Sequence, residues 1–117
     1  MVIVSLLLLS AQASARGEAH YYPAVECVPP KSAVLEVGGL LPQGAGELLA
    51  CTRRGEIWSI QDAWSGSPTF RLWCDGLQEP LGLLDYDDWI WCVQRGELTR
   101  IRDTNGDGRA DDFETFC

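Results

Sequence analysis

The feature that most constrains the fold of this chain is an internal repeat about forty residues long. The segment LLACTRRGEIWSIQD, residues 48–62, aligns without a gap with WIWCVQRGELTRIRD, residues 89–103. The alignment places Cys51 on Cys92 and the first Arg-Gly-Glu on the second. Two copies of one supersecondary unit therefore account for most of the chain.

Each copy has the sequence pattern of four β-strands. An apolar run rich in β-branched and aromatic residues is followed by a short turn and then by a strand that alternates in polarity. Gly55 and Gly96 are expected to supply a turn backbone that a side chain would resist. The predicted strands cover residues 33–38, 47–53, 56–61 and 69–74 in the first copy, and residues 81–85, 88–94, 97–102 and 113–117 in the second.

A repeat of about 40 to 45 residues with four strands is typical of one blade of a β-propeller. The runs LLAC and WIWCV are apolar throughout, as expected for inner strands that are covered on both faces. Two blades cannot close a ring, because a propeller needs at least about four. The predicted fold is therefore all-β, with two antiparallel four-stranded blades that form an incomplete β-propeller, the beginning of a longer one.

The cysteines fit the repeat better than they fit a redox or metal motif, since none of the five has C-x-x-C spacing with another. We expect Cys51 and Cys92 at equivalent positions on inner strands, and Cys74 and Cys117 at equivalent positions on outer strands. Within a blade, one strand separates Cys51 from Cys74, a distance of about 9–10 Å. A disulfide needs Cα atoms within about 7 Å, so we expect no pairing within a blade.

The amino terminus indicates export. Residues 1–15 combine an apolar run with small residues ending in Ala-Ser-Ala, the pattern of a signal peptide, although no Lys or Arg precedes the run. An ordinary buried start to the fold is the alternative. The apolar run is about half as long as a transmembrane helix requires, so no transmembrane segment is predicted. The expected order is a signal peptide (1–15), an extended leader (16–32), blade 1 (33–76) and blade 2 (77–117), in a periplasmic, secreted or cell-surface protein.

The formal net charge of −8 makes nucleic acid and anionic lipid poor partners. Simple solubility explains the overall charge. Only local clustering of carboxylates supports a cation site, and such a cluster occurs near the end of the chain.

Residues 103–114, DTNGDGRADDFE, match the calcium-loop pattern D-x-[DN]-x-[DN]-G-x5-E. Calcium binds six to eight oxygens at about 2.3–2.6 Å, and alternate residues of a tight loop can supply them. Flanking strands exclude a helical EF-hand, so the ion would be structural. The alternative is an acidic, solvated hairpin loop. The predicted ligands are Asp103, Asn105, Asp107, the backbone carbonyl of Arg109, Asp111 and Glu114.

Part of the chain resembles a known family. Residues 76–103, GLQEPLGLLDYDDWIWCVQRGELTRIRD, resemble the G-L-x-x-P-x-G-L and R-x-G-x-L signature of glucose/sorbosone dehydrogenase-like β-propellers. With VLEVGGL, LLACTRRGEIW and the acidic loop, residues 24–117 look like the N-terminal part of large exported bacterial membrane-bound dehydrogenases of this group. Those proteins often carry a cytochrome c-type haem domain further on. The segment LLPQGAGELLACT departs from their usual L-P-D-G-R-L-x-V-x-T.

The resemblance implies that full-length relatives oxidise sugars or alcohols with pyrroloquinoline quinone. Their catalytic histidine stands in a later blade beside glycines, whereas the only histidine here, His20, precedes the first predicted strand. Catalytic and cofactor-binding residues therefore stay unassigned. We expect a fragment that is inactive alone, with the following blades and a cytochrome c domain as partners. The alternative is a non-catalytic, calcium-stabilised propeller that binds protein or glycan.

Overall fold

A computed structural model of the chain describes residues 17–117. The signal-peptide prediction, residues 1–15, lies outside the described residues. Within the described part, no helix is long and apolar enough to cross a membrane. The elements are one helical turn, α1 (Glu18–Tyr21), and eight strands: β1 (Val37–Gly44), β2 (Glu47–Thr52), β3 (Ile57–Gln61), β4 (Thr69–Cys74), β5 (Gly82–Tyr86), β6 (Trp89–Val93), β7 (Leu98–Arg102) and β8 (Asp112–Thr115).

The strands form two antiparallel four-stranded sheets, in the orders β1-β2-β3-β4 and β5-β6-β7-β8. This confirms the all-β prediction with four strands in each repeat. Seven strands lie within about two residues of their predicted bounds. The first does not, because residues 33–38 were predicted and β1 covers Val37–Gly44.

The sequence of β1 does not have the pattern of a strand, because strands are depleted in glycine and proline. It contains Gly38, Gly39, Pro42 and Gly44. Pro42 is tolerated because β1 pairs only with β2 and is an edge strand. Gly39 is required by close packing: a Cβ there would lie 3.1 Å from the Cα of Gly82 and 3.2 Å from Cys51 Sγ. The glycines therefore allow β1 to approach the second sheet.

The two sheets pack face to face through a shared hydrophobic core. Its most buried aliphatic side chains, Ile57 and Ile101, have no exposed surface. Fully burying one such side chain stabilises the fold by about 1.5–3 kcal/mol. The core residues are Leu49, Cys51, Ile57 and Cys74 from the first sheet and Ile90, Cys92 and Ile101 from the second, with Leu41, Trp73 and Leu83 packed against them.

Cys51 and Cys92 do not occupy equivalent positions, so that prediction was wrong. They belong to the same core and face each other between the sheets. The reason is the turn that follows each strand. In the first sheet the N–H of Thr52 donates to the carbonyl of Glu56 (2.8 Å), whereas in the second the N–H of Gln94 donates to that of Glu97 (2.9 Å). The second turn is one residue shorter, and a one-residue slip moves every side chain to the other face.

The two glycine turns differ accordingly. Gly55 has a positive φ of 86°, and a Cβ on it would collide with the carbonyl of Leu77. Gly96 is not among the described residues with positive φ, and a Cβ there would meet nothing within 4 Å. The prediction of a backbone that needs glycine was therefore right for Gly55 and wrong for Gly96.

Matching the strands by their hydrogen-bonded partners reveals the true correspondence between the sheets. The pair Leu49–Ser59 of β2 and β3 corresponds to Trp91–Arg100 of β6 and β7. By this match, the face of the first sheet that packs against the second sheet has a counterpart in the second sheet. That counterpart points away from the first sheet, and we call it the open face. Its apolar residues, each after its first-sheet equivalent, are Leu41/Leu84, Leu49/Trp91, Cys51/Val93, Ile57/Leu98 and Trp73/Phe116.

The remaining two faces correspond in part. We call the face of the first sheet that points away from the second the outer face. Three of its buried residues match buried residues of the second sheet in chemistry and size: Leu48/Ile90, Ala50/Cys92 and Ile60/Ile101. Phe70 corresponds to Phe113, which is 46% exposed, whereas Trp58 and Leu72 correspond to Thr99 and Thr115. The face that the first sheet packs against the second therefore has its counterpart in the open face of the second sheet.

Cys74 and Cys117 were predicted at equivalent positions on outer strands; Cys74 ends β4, whereas Cys117 lies two residues beyond the end of β8. Cys74 pairs with Ile57, and the N–H of Leu98, the equivalent of Ile57, donates to the carbonyl of Cys117 (2.7 Å). Cys74 and Cys117 are therefore equivalent. Cys51 and Cys74 flank Ile57 from opposite strands, and all five cysteines are free. Burial raises the pKa of Cys74 and of Cys92 to about 12, so these thiols stay neutral and pack as apolar groups.

The assignment of faces predicts opposite outcomes for two substitutions in the second sheet. Ile101→Ala should lower the free energy of unfolding by about 2–5 kcal/mol, since it leaves a cavity between the sheets. Leu84→Ala should change it by no more than about 0.5 kcal/mol, because Leu84 is 59% exposed on the open face. Urea denaturation followed by tryptophan fluorescence measures both. Equal effects would contradict the assigned faces.

Candidate calcium-binding loop

The acidic loop connects β7 to β8 in the second sheet. The N–H of Asp111 donates to the carbonyl of Arg102 (3.1 Å) and closes the base of the loop. Gly106 and Gly108 have positive φ values of 73° and 83°, which a residue with a side chain resists. The glycines therefore allow the chain to turn sharply between the two strands.

Three of the predicted ligands accept hydrogen bonds from backbone N–H groups of the loop. The carboxylate of Asp103 accepts the N–H of Gly106 (2.7 Å) with one oxygen and the N–H of Gly108 (2.8 Å) with the other. Asn105 Oδ1 accepts the N–H of Asp107 (2.9 Å), and Asp107 Oδ1 accepts the N–H of Arg109 (2.8 Å). The alternate spacing seen in the sequence thus turns these side chains towards the loop backbone.

Asp111 caps a different part of the loop. Its two oxygens accept the N–H (2.8 Å) and the hydroxyl (2.7 Å) of Thr104. The hydrogen bond from the Thr104 side chain, together with that from its backbone, lowers the pKa of Asp111. Asp111 is therefore ionised and already has two donors at neutral pH.

Glu114 lies on β8 rather than in the loop. It is opposite Arg100 in the strand register, and its carboxylate accepts both Nε (2.8 Å) and Nη2 (2.6 Å) of that arginine. The guanidinium of Arg100 also stacks over the ring of Trp89, at 4.4 Å from the centroid. Sequence reasoning missed this pair, although a strand register aligning Arg100 with Glu114 would have shown it.

The loop fits calcium only in part. A carboxylate has about four lone-pair sites and an amide oxygen two, so Asp103, Asn105 and Asp107 retain acceptor capacity beyond their backbone contacts. Glu114 uses Oε2 for both contacts with Arg100, so an ion bound by Glu114 would lie close to a guanidinium cation. Among residues 17–117, no group of three or more His, Cys, Asp or Glu side chains is arranged to hold a metal ion. The first three ligand positions therefore keep acceptor oxygens, but the described residues do not gather them into a metal site, and the last position is paired with Arg100.

The loop also joins the two sheets. Arg71 Nη2 of β4 donates to the carbonyl of Asp107 (2.6 Å), and the N–H of Ala110 donates to the carbonyl of Trp73 (2.8 Å). Arg109, predicted only as a carbonyl ligand, forms a salt bridge with Asp75 (3.1 Å). These three contacts fasten the last strand of the first sheet to the loop of the second.

Glycine at position 108 serves this junction as well as the turn. A Cβ on Gly108 would lie 2.6 Å from Arg71 Nη1, so any side chain would displace the guanidinium. Arg71 and Arg109 also bring positive charge to the loop from two sides. The arginines therefore supply some of the charge balance that a cation would otherwise provide.

Two small clefts border the loop between the sheets. Both are lined by Gln43, Trp73, Ile90 and Asp103, and their volumes are about 220 and 250 Å3. Ligand pockets usually measure about 300–1,000 Å3, so neither cleft has the size of a substrate site. His20, in α1, is exposed and far along the chain from both clefts.

Comparison with known proteins finds no family model, no curated protein and no solved structure that matches this chain. The function is therefore inferred from the arrangement of the two sheets and from the resemblance of residues 76–103 to a known family.

The hydrogen bonds within the loop predict that Asp103 stabilises the fold without any metal. In buffer containing a chelator, Asp103→Ala should lower the free energy of unfolding by about 1–2 kcal/mol, because two N–H groups lose their acceptor. Asp103→Asn, which keeps one acceptor oxygen, should show a smaller loss. The control is Asp85→Ala, which removes one long contact from Gln43 (3.4 Å). Equal urea midpoints for Asp103→Ala and this control would contradict the role of Asp103.

Proposed function

We propose that the chain forms two adjacent blades at the start of an exported β-propeller of the sugar or alcohol dehydrogenase class, and that it is inactive alone. The observation that supports the propeller arrangement is the open face of the second sheet. Its apolar residues repeat those that the first sheet packs against the second. A third sheet on the open face would make the same kind of contact again.

The exposure of this face supports the same conclusion. Leu84 is 59% exposed, Val93 51% and Phe116 64%, whereas their first-sheet equivalents pack in or against the core. Contiguous exposed apolar residues on a soluble protein mark an interaction surface. The pattern of apolar residues on this face favours another sheet as its partner.

The dehydrogenase class is supported by the resemblance of residues 76–103, and catalysis is expected of later blades. The role proposed for the present residues is to hold neighbouring sheets together. Arg71, Gly108 and Ala110 do this at the loop, and the isoleucine-rich core does it between the faces. The binding-protein alternative uses the same scaffold and differs only in what the later blades carry.

The coding sequence downstream in the same frame tests this proposal. We expect further repeats of about 40–45 residues, a histidine beside glycines in a later blade and a C-x-x-C-H haem-attachment motif. The present chain should not reduce an artificial electron-accepting dye with glucose and pyrroloquinoline quinone, and the longer product should. Further repeats without that histidine, in a product that reduces no dye, would favour the binding propeller. An absence of further repeats would contradict both.

We also propose that calcium binds the loop as a structural ion, through Asp103, Asn105, Asp107 and the carbonyl of Arg109. Asp111 and Glu114, the other predicted ligands, are already held by Thr104 and Arg100. The ion would offset repulsion between carboxylates and rigidify the loop that fastens β4. Its effect would therefore reach the packing of the two sheets.

Calcium should raise the melting temperature of the chain. An ion that binds only the folded state stabilises it by RT ln(1 + [L]/Kd), about 2.7 kcal/mol at a hundredfold excess over Kd. Replacing both Asp103 and Asp107 by Ala should remove this gain. Glu114→Ala should retain it if Arg100 keeps Glu114 out of the shell, which makes it the matched control. A melting temperature that is equal in calcium and in chelator would contradict the metal site.

A further inference from the structure

The leader before β1 contacts the outer face of the first sheet through Cys27. Cys27 is half-buried there, packs against the cluster that contains Leu48, Ala50 and Ile60, and donates its Sγ–H to the carbonyl of Ala63 (3.1 Å). In that cluster, Ala50 has no exposed surface and Ile60 is 5% exposed. The leader is therefore anchored to the apolar outer face at this residue, while most of its other described side chains are exposed.

The outer face has a counterpart within the same chain. Leu48, Ala50 and Ile60 of the outer face correspond to Ile90, Cys92 and Ile101, which the second sheet packs against the first. The open face corresponds to the face that the first sheet contributes to that contact. One chain therefore carries both halves of a single interface, one half open and the other under the leader.

We propose that the leader is a removable cover, and that its displacement lets the outer face of one copy bind the open face of a second copy. The contact is head-to-tail, because different faces meet, and it would repeat the packing seen between the two sheets of one chain. The proposal rests on the repeating sheet arrangement proposed above and is independent of dehydrogenase activity.

The packing within the chain favours this partner over a contact between two open faces. A head-to-tail contact would repeat the packing of the first sheet against the second, in which apolar side chains of two different faces meet. Charge does not decide between the two contacts, because Glu114 of the open face would meet Asp62 in one and a second Glu114 in the other, and Arg100 pairs with Glu114 in both.

The test displaces the leader by a point substitution in the full chain. Cys27→Asp places a carboxylate against the apolar outer face, which burial disfavours. Trypsin should then cleave after Lys31 faster than in the wild type, which reports release of the leader. Light scattering after size exclusion should show a monomer for the wild type and oligomers that grow with concentration for Cys27→Asp. The matched control is Val28→Asp, at a leader side chain that is 65% exposed, and it should remain monomeric.

A second variant identifies the faces. Val93→Asp adds a charge to the open face, so the double variant Cys27→Asp/Val93→Asp should be monomeric alone. Mixed with the wild type, whose open face is intact, it should form a one-to-one complex and nothing larger.

Three outcomes would overturn the proposal. Wild type that self-associates as strongly as Cys27→Asp would show that the leader covers nothing needed for association. A released leader without oligomers, or unchanged cleavage after Lys31, would exclude a removable cover. Oligomers of Cys27→Asp that persist in the double variant would place the contact elsewhere. Dye reduction by a longer product is unaffected by any of these results, so the two proposals fail separately.

Discussion

The packing of the two sheets against each other is the interaction on which the rest of the structure depends. Each sheet is only four strands wide, and a sheet of this size needs a covered apolar face to be stable. The covered faces meet at Ile57, Ile90 and Ile101, with neutral cysteines filling the narrow space between them. β1 approaches closely enough to complete this contact because glycine stands at position 39.

The sequence was informative about strands and less so about faces. Apolar runs, turn glycines and the repeat located seven strands, because these signals are local. The facing of β6 could not be inferred from a gapless alignment, because the turn before β7 is one residue shorter than its counterpart before β3. The matching Arg-Gly-Glu residues concealed this difference. Side chains alternate between the two faces of a strand, so a shift of one residue changes which residue corresponds to Cys51. The gapless alignment pairs Cys51 with Cys92, whereas the strand register pairs it with Val93.

The same distinction between local and non-local signals applies to the loop. The alternation of Asp103, Asn105 and Asp107 correctly indicated side chains that turn inwards, because each bonds a backbone N–H only two to five residues away. The contacts of Glu114 with Arg100 and of Arg71 with Asp107 cross between strands or between sheets. No local pattern specifies them, and they pair Glu114 with an arginine and tie the loop to the first sheet.

The loop contributes to the sheet contact with or without calcium, and the two cases differ in strength. The salt bridge of Arg109 with Asp75 joins side chains that are 52% and 57% exposed, and such a pair contributes about 0–1 kcal/mol. The hydrogen bonds from Arg71 and Ala110 to backbone carbonyls contribute about 1 kcal/mol each. A calcium ion at a hundredfold excess over its Kd would add about as much as these contacts together. Without a metal these contacts therefore stabilise the junction of the two sheets only weakly, and the proposed calcium ion would stabilise it further.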